Sequence, residues 1–246
     1  MDRPTKSRAQ FASNFGFLAA AVGSAVGLGN IWKFPYLTGI YGGAAFLFIY
    51  LIIIFGIGIP VMLSELIIGR RSRSNAIGAF KKLAPGSFWK VTGMFGVAAA
   101  FLIMSFYGVV AGWSLKYIVF SVQNHFHDSS PAMISQAFQT FIASPVEPVI
   151  YQVLFMLLTG AIVILGVQKG IEASSKFMMP LLFLLILILD IRALTLEGAR
   201  EGLKFLFKPD FSRLTTEAVL AALGKAFFSL RLGMGTLITY GSYVNR

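Results

Sequence analysis

The groups best placed to do chemistry in this sequence belong to the backbone. Gly23-Ser24-Ala25-Val26-Gly27-Leu28-Gly29-Asn30 sits in the middle of an apolar run long enough to cross a membrane. Each glycine costs roughly 1 kcal/mol relative to alanine in a helix, so a helix that only spans would not carry three within two turns. The spacing predicts a break. At membrane depth a break frees carbonyl and N–H groups that hydrocarbon cannot satisfy, so it is stable only where it lines a cavity or is buried in protein. Carbonyls ending the first half-helix suit a small cation, and N–H groups opening the second suit an anionic group such as a carboxylate. Gly23 and Gly27 also have the spacing of a Gly-x-x-x-Gly packing face, the competing reading of these glycines taken alone.

Side-chain chemistry is sparse by comparison. The chain has no cysteine, which excludes disulfides and thiol-based metal or redox sites. His125-x-His127 lacks a third ligand nearby, so a solvated loop pair is favoured over a metal site. No histidine lies in an apolar run and no nucleophile is paired with a base, which argues against an enzyme. Glu65, near the end of an apolar run, is expected to snorkel to the interface or to bond a neighbouring broken backbone, with a proton relay disfavoured. Tyr107 stands at the middle of another run, where a buried phenol needs a partner.

The elements that must position these groups are membrane spans. At 57% hydrophobic and 13% charged residues, with a mean hydropathy of +0.77, the chain is expected to be an integral membrane protein. The net charge of +11 resides in the connections, not on one face of a soluble module, which argues against nucleic acid. The expected fold class is all-α and polytopic, with about six spans. A tail at 1–10 runs into a first span ending at Pro35, too long for a signal peptide. Further spans are expected at about 44–68, 91–122, 149–167 and 177–191, so that five spans fill 11–191. A loop with an amphipathic surface helix follows at 192–216, and 217–246 holds a sixth span interrupted at Leu232-Gly233-Met234-Gly235. The segment 69–90 is basic, with Arg70, Arg71, Arg73, Lys81, Lys82 and Lys90 and no acid, and is expected to be cytoplasmic. The polar connection at 124–148 has no lysine or arginine and is expected outside, as is 192–216; a short inner loop carries Lys169 and Lys176. Both termini are then cytoplasmic.

Two interrupted spans separated by four uninterrupted ones suit an inverted repeat of five spans plus five, the general pattern of secondary transporters of the leucine-transporter kind. It favours breaks over helix packing. The stretch Gly23 to Asn30 continued by Ile31-Trp32-Lys33-Phe34-Pro35 resembles the first-helix signature of the neurotransmitter:sodium symporters. Ser64-Glu65-Leu66-Ile67-Ile68-Gly69-Arg70, Ser105-Phe106-Tyr107, Lys208-Pro209-Asp210-Phe211, and Phe227-Phe228-Ser229-Leu230 through Thr239-Tyr240-Gly241-Ser242-Tyr243 resemble later blocks of that family, in order. The chain most resembles the family's bacterial amino-acid transporters.

The resemblance implies a leucine-transporter-type fold and sodium-coupled amino-acid symport at the cell membrane. It implies one sodium ion held by Ala25, Asn30, Ser229 and the substrate carboxylate, and a second by carbonyls of Gly23 and Val26 with groups from a later helix. Substrate would touch Ser24, Ala25, Gly27, Leu28 and Gly29. Tyr107 would bond its carboxylate, Ile103, Phe228 and Met234 would pack its side chain, and Ser229 and Arg231 would face it from the second break. Arg8, Ser242 and Tyr243 resemble an inner gate, and Lys33 stands where the outer gate usually has arginine. The chain stops just after the sixth span, so the second repeat, with its sodium ligands and acidic gate partners, is expected to be absent. Expected partners are the amino-acid substrate, the bilayer, and the missing C-terminal half or a partner half. The alternative is a non-transporting six-span protein or an inactive truncated product.

Three residues depart from the family pattern. Arg231 stands where a small residue is usual, and is expected to block the site or, alternatively, to pair with an acidic substrate. Lys225 replaces a common glutamine and is expected to add positive charge to an outer vestibule near Lys33. Phe11 replaces a tryptophan.

Overall fold

The computed structural model describes residues 13–127 and 129–244, and among these it is helical with no strand. Helix α1 (Asn14–Ala25) starts at Ser13, whose hydroxyl accepts the Gly16 N–H at 3.0 Å. It stops at Val26, which turns extended at φ −87° and ψ 101°. The chain resumes as a wide π turn over Gly29–Lys33 and continues as α2 (Phe34–Ile40). The next span repeats the device: α3 (Ala44–Ile53), a π turn over Ile54–Gly58, then α4 (Ile59–Ser72). Each π turn is followed two residues later by a proline, Pro35 or Pro60. A proline has no N–H to close the ordinary helical bond and its ring crowds the preceding turn, which the wider turn accommodates.

In order after these come α5 (Ala76–Leu83), α6 (Lys90–Val122), α7 (Pro131–Ala143), α8 (Glu147–Ile164), a π turn over Val167–Glu172, α9 (Ala173–Leu194), α10 (Ala199–Phe207), α11 (Thr216–Ser229) and α12 (Thr236–Gly241). Among the described residues, the continuous helical stretches 44–72, 90–122, 147–164 and 167–194 are long and apolar enough to cross a membrane. The two interrupted pairs, α1 with α2 and α11 with α12, are those the glycine patterns mark. The structure goes beyond the expected spans at three places. The connection at 124–148 contains a helix, α7, started by Ser130 accepting the Met133 N–H at 3.3 Å and by Pro131 in its first turn. The inner loop around Lys169 and Lys176 is helical throughout. The second span runs on to Ser72.

The chain folds into two compact units. One comprises 98–166. In it a Cβ on Gly112 would lie 2.7 Å from the Gln152 amide nitrogen, so α6 and α8 approach backbone to backbone. Lys116 pairs with Glu147 at 2.7 Å and lies 4.4 Å from the Phe120 ring centroid.

The other unit holds both breaks. Ala218, Ala222 and Ala226 form a small-residue stripe on α11 that admits Phe46, Tyr50 and Ile53 of α3 into one buried core. Helices α4 and α12 meet closely at two glycines: a Cβ on Gly69 would run into the Ile238 carbonyl, and one on Gly241 would lie 2.5 Å from the Leu66 carbonyl oxygen. Helix α1 packs on the 167–194 segment through Phe17, Ala20, Val167 and Ile171, beside Glu172, which is 1% exposed and pairs with Lys176 at 2.7 Å. Tyr41, in the turn after α2, donates to Glu217 at the start of α11.

Candidate functional site

Within that unit the two breaks face one another through side chains. The first is stitched by Asn30. Its amide donates to the Ala25 carbonyl at 2.7 Å, its N–H donates to Gly27 O at 2.8 Å, and its Oδ1 accepts the Ser229 hydroxyl at 2.7 Å. One residue thus closes the gap left by Val26 and ties it to the end of α11. Ser24 and Gly23 lie in the last turn of α1, with Gly23 placed so that a Cβ would sit 3.0 Å from the Met179 sulfur. Leu28 leads into the π turn, and Gly29 is buried against Phe228, where a Cβ would fall 2.8 Å from the ring.

The second break spans Leu230 to Gly235. Arg231, Gly233 and Gly235 have φ of 58°, 76° and 70°, so the chain leaves the helix through left-handed residues. For glycine this is cheap; for arginine it costs about 1–2 kcal/mol. Glu65 holds the turn: it is 8% exposed, and its Oε1 accepts the Gly233 N–H at 2.7 Å while its Oε2 has no hydrogen bond among the described residues. Of the roles expected for Glu65, bonding to a broken backbone is the one the structure shows. Met234 is half-buried in the same turn. The Arg231 guanidinium lies 5.1 Å from the Phe228 ring centroid.

Lys225 is where expectation and structure part. It is 5% exposed and does not end in water: its ammonium donates to Asn30 Oδ1 at 2.6 Å and to Gly29 O at 2.9 Å, in the π turn that also carries Lys33. Lys33 is exposed, with its ammonium 5.1 Å from the Tyr36 centroid. Lys225 and Ser229 are one helical turn apart on α11, so both reach Asn30 from one face. The sequence marks the lysine as a departure from the family pattern but carries no signal of its reach.

Of the remaining expected residues, Ser242 is buried and donates to the Thr239 carbonyl, and Tyr243 packs with Tyr240 on the Ala20 and Val167 cluster. Ile103 and Tyr107 lie on α6 in the other unit, one turn apart and partly buried, with Phe106 and Tyr107 edge-to-face at 5.9 Å. Arg8 and Phe11 fall outside the described residues. Tyr50, not singled out from sequence, packs 4.7 Å from the Phe34 ring in the core behind the first break; a tyrosine in an apolar run was the available signal. Among the described residues, no group of three or more histidine, aspartate or glutamate side chains is placed to hold a metal.

The sodium:neurotransmitter symporter family model matches residues 8–130 and 138–246. The chain belongs to the sodium:neurotransmitter symporter family. The uncharacterized sodium-dependent transporter YhdH of Bacillus subtilis is 50% identical over 96% of this chain and 52% of its own length. An uncharacterized sodium-dependent transporter of Haemophilus influenzae is 39% identical, over 100% of this chain and 56% of its own. Among solved structures, MhsT in complex with L-phenylalanine matches with a TM-score of 0.91 and 55% identity, covering 97% of this chain and 54% of that one. The chain therefore spans about half the length of the relatives it matches. With its family and its apolar helices, this symporter-family chain is a multi-pass membrane protein.

Proposed function

We propose that this chain supplies half of a sodium-coupled amino-acid symporter, with sodium and substrate taken between the two breaks. The carrying observation is the Asn30 bridge, which joins the Ala25 carbonyl of one break to Ser229 beside the other. Backbone oxygens and a carboxamide suit a hard cation, and a substrate carboxylate supplies the negative charge that the cluster itself lacks. The substrate contacts proposed are Ser24, Ala25, Gly27, Leu28 and Gly29, with Phe228, Ser229, Arg231 and Met234 across from them and Ile103 and Tyr107 contributed by α6. Gly23 and Val26 carbonyls are proposed for a second sodium. Lys33 is proposed for the outer gate and Arg8, Ser242 and Tyr243 for the inner one.

Alternating access requires one bundle to move against a scaffold, and spans three to five alone give only half of that scaffold. Uptake of labelled L-phenylalanine and other amino acids into vesicles, with and without sodium, tests this. Sodium-dependent uptake is expected from a chain extended by a second half and not from this chain alone. Absence of uptake from the extended protein would sink the symport reading. For the proposed orientation, single cysteines at Lys81 and Gln139, both exposed, are expected to label from the cytoplasmic and outer sides respectively.

One observation favours a second reading. Arg231 packs over Phe228, the ring that meets Gly29, so the guanidinium adds positive charge and bulk where the first reading places a sodium ion and a substrate side chain. An inactive protein is the consequence if that side chain cannot swing away.

A further inference from the structure

Two oxygens at the first break, Asn30 Oδ1 and Gly29 O, are already fully engaged. A carbonyl-type oxygen has two lone pairs. Asn30 Oδ1 spends them on the Lys225 ammonium at 2.6 Å and the Ser229 hydroxyl at 2.7 Å. Gly29 O accepts the Phe34 N–H of the π turn and the same ammonium at 2.9 Å. The amide cannot be turned the other way, because its NH2 would then face the ammonium and lose the Ala25 carbonyl.

A buried ammonium usually demands a carboxylate, since removing one charge from water costs several kcal/mol even after relaxation. Lys225 makes no ion pair among the described residues. It is held instead by two neutral oxygens and lies 5.9 Å and 5.7 Å from the centroids of Phe34 and Phe228. Neutral oxygens around a lone positive charge are the surroundings of an alkali cation, with the cation here carried on a lysine stem. An ammonium has three protons to donate, and two are used.

We propose that the Lys225 ammonium is a tethered cation: it occupies the Asn30 and Gly29 oxygens between the breaks, excludes one sodium ion from them, and offers its remaining proton and its charge to a ligand carboxylate. This rests on the symport reading for the identity of the excluded ion, and at the Asn30 oxygens it puts the lysine in place of the sodium ion which that reading puts there. The protein then binds one alkali cation fewer than it would with a neutral side chain at 225, and any sodium dependence arises elsewhere, for instance at the Gly23 and Val26 carbonyls.

The test measures radioactive sodium bound per chain at saturation, and melting temperature in sodium chloride against choline chloride, for the purified protein, Lys225→Gln and Lys225→Met. Each variant is expected to bind one further sodium ion, and to be raised in melting temperature by sodium more than the wild type is. A folded variant that binds no more sodium than wild type overturns the proposal. So do variants that unfold equally in both salts, because sodium then fails to replace the ammonium. Sodium-dependent L-phenylalanine binding, measured in parallel on the wild type, reports on the symport reading separately. Its absence alongside a sodium gain in the variants leaves the tethered cation standing, and its presence without that gain removes only the tethered cation.

Discussion

The two breaks solve one problem by different means. At the first, from Val26 to Leu28, no residue has a positive φ; the chain opens by one extended residue and a π turn, and side chains close the gap. Asn30 reaches the freed Ala25 carbonyl directly, and Lys225 is a second donor to the Gly29 carbonyl of the π turn. At the second, the backbone itself turns left-handed at Arg231, Gly233 and Gly235, and a buried acid caps the exposed N–H of Gly233. Glycine therefore serves space at Gly29 of the first break, which Phe228 crowds, and conformation at Gly233 of the second, where nothing lies within 4 Å of a Cβ; Gly235 serves both, since its Cβ would lie 2.5 Å from that of Ala76.

Substitutions can break or sharpen that contrast. The largest effect is expected at Glu65. Glu65→Ala removes the acceptor of the Gly233 N–H, a loss of about 1.5–3 kcal/mol for a hydrogen bond to a charged group, whereas Glu65→Gln keeps an acceptor and should lose less than half of that. Denaturant melts of the solubilised protein followed by tryptophan fluorescence check both, and equal losses would mean that this bond does not hold the break. Next comes Gly29→Ala, expected to cost about 1–3 kcal/mol by overpacking against Phe228. Combining it with Phe228→Ala should recover much of the loss, and strict additivity in that cycle would refute crowding as the cause.

The effect of Arg231→Ser is expected in binding and not in stability. Removing the guanidinium should improve sodium-dependent amino-acid binding by at least tenfold, about 1.4 kcal/mol, in the protein extended by a second half. Unchanged binding by the arginine form, or its preference for glutamate and aspartate, would show that the residue pairs with substrate and does not block. The smallest effect is expected at Gly233→Ala, about 1 kcal/mol from the left-handed conformation alone. Gly233→Asn should be milder, because asparagine visits that region more readily, and the same asparagine at Gly29 should gain nothing over alanine there.

Both breaks were legible in the sequence because glycine is expensive in a helix and these clusters have no role in a plain span. The carboxamide of Asn30 and the hydroxyl of Ser229 entered through family resemblance, and the fold joins them at 2.7 Å. Helix α7 was hidden because a polar connection between spans reads as loop, although Ser130-Pro131 is a helix-start signal and 132–143 has neither glycine nor proline to stop it.

The sequence by itself determined the membrane class, the number of interrupted spans and the places where they open, since these depend on local composition and on backbone cost. Only the tertiary structure decided between the roles open to Glu65, and only it carried Lys225 from an expected vestibule into the Asn30 cluster. Both side chains act on residues more than 160 positions away in sequence. Whether a long charged side chain ends in water or on a distant carbonyl depends on how closely two helices approach. Here the alanine stripe of α11 seats that helix on α3, and Lys225 reaches Gly29 from it.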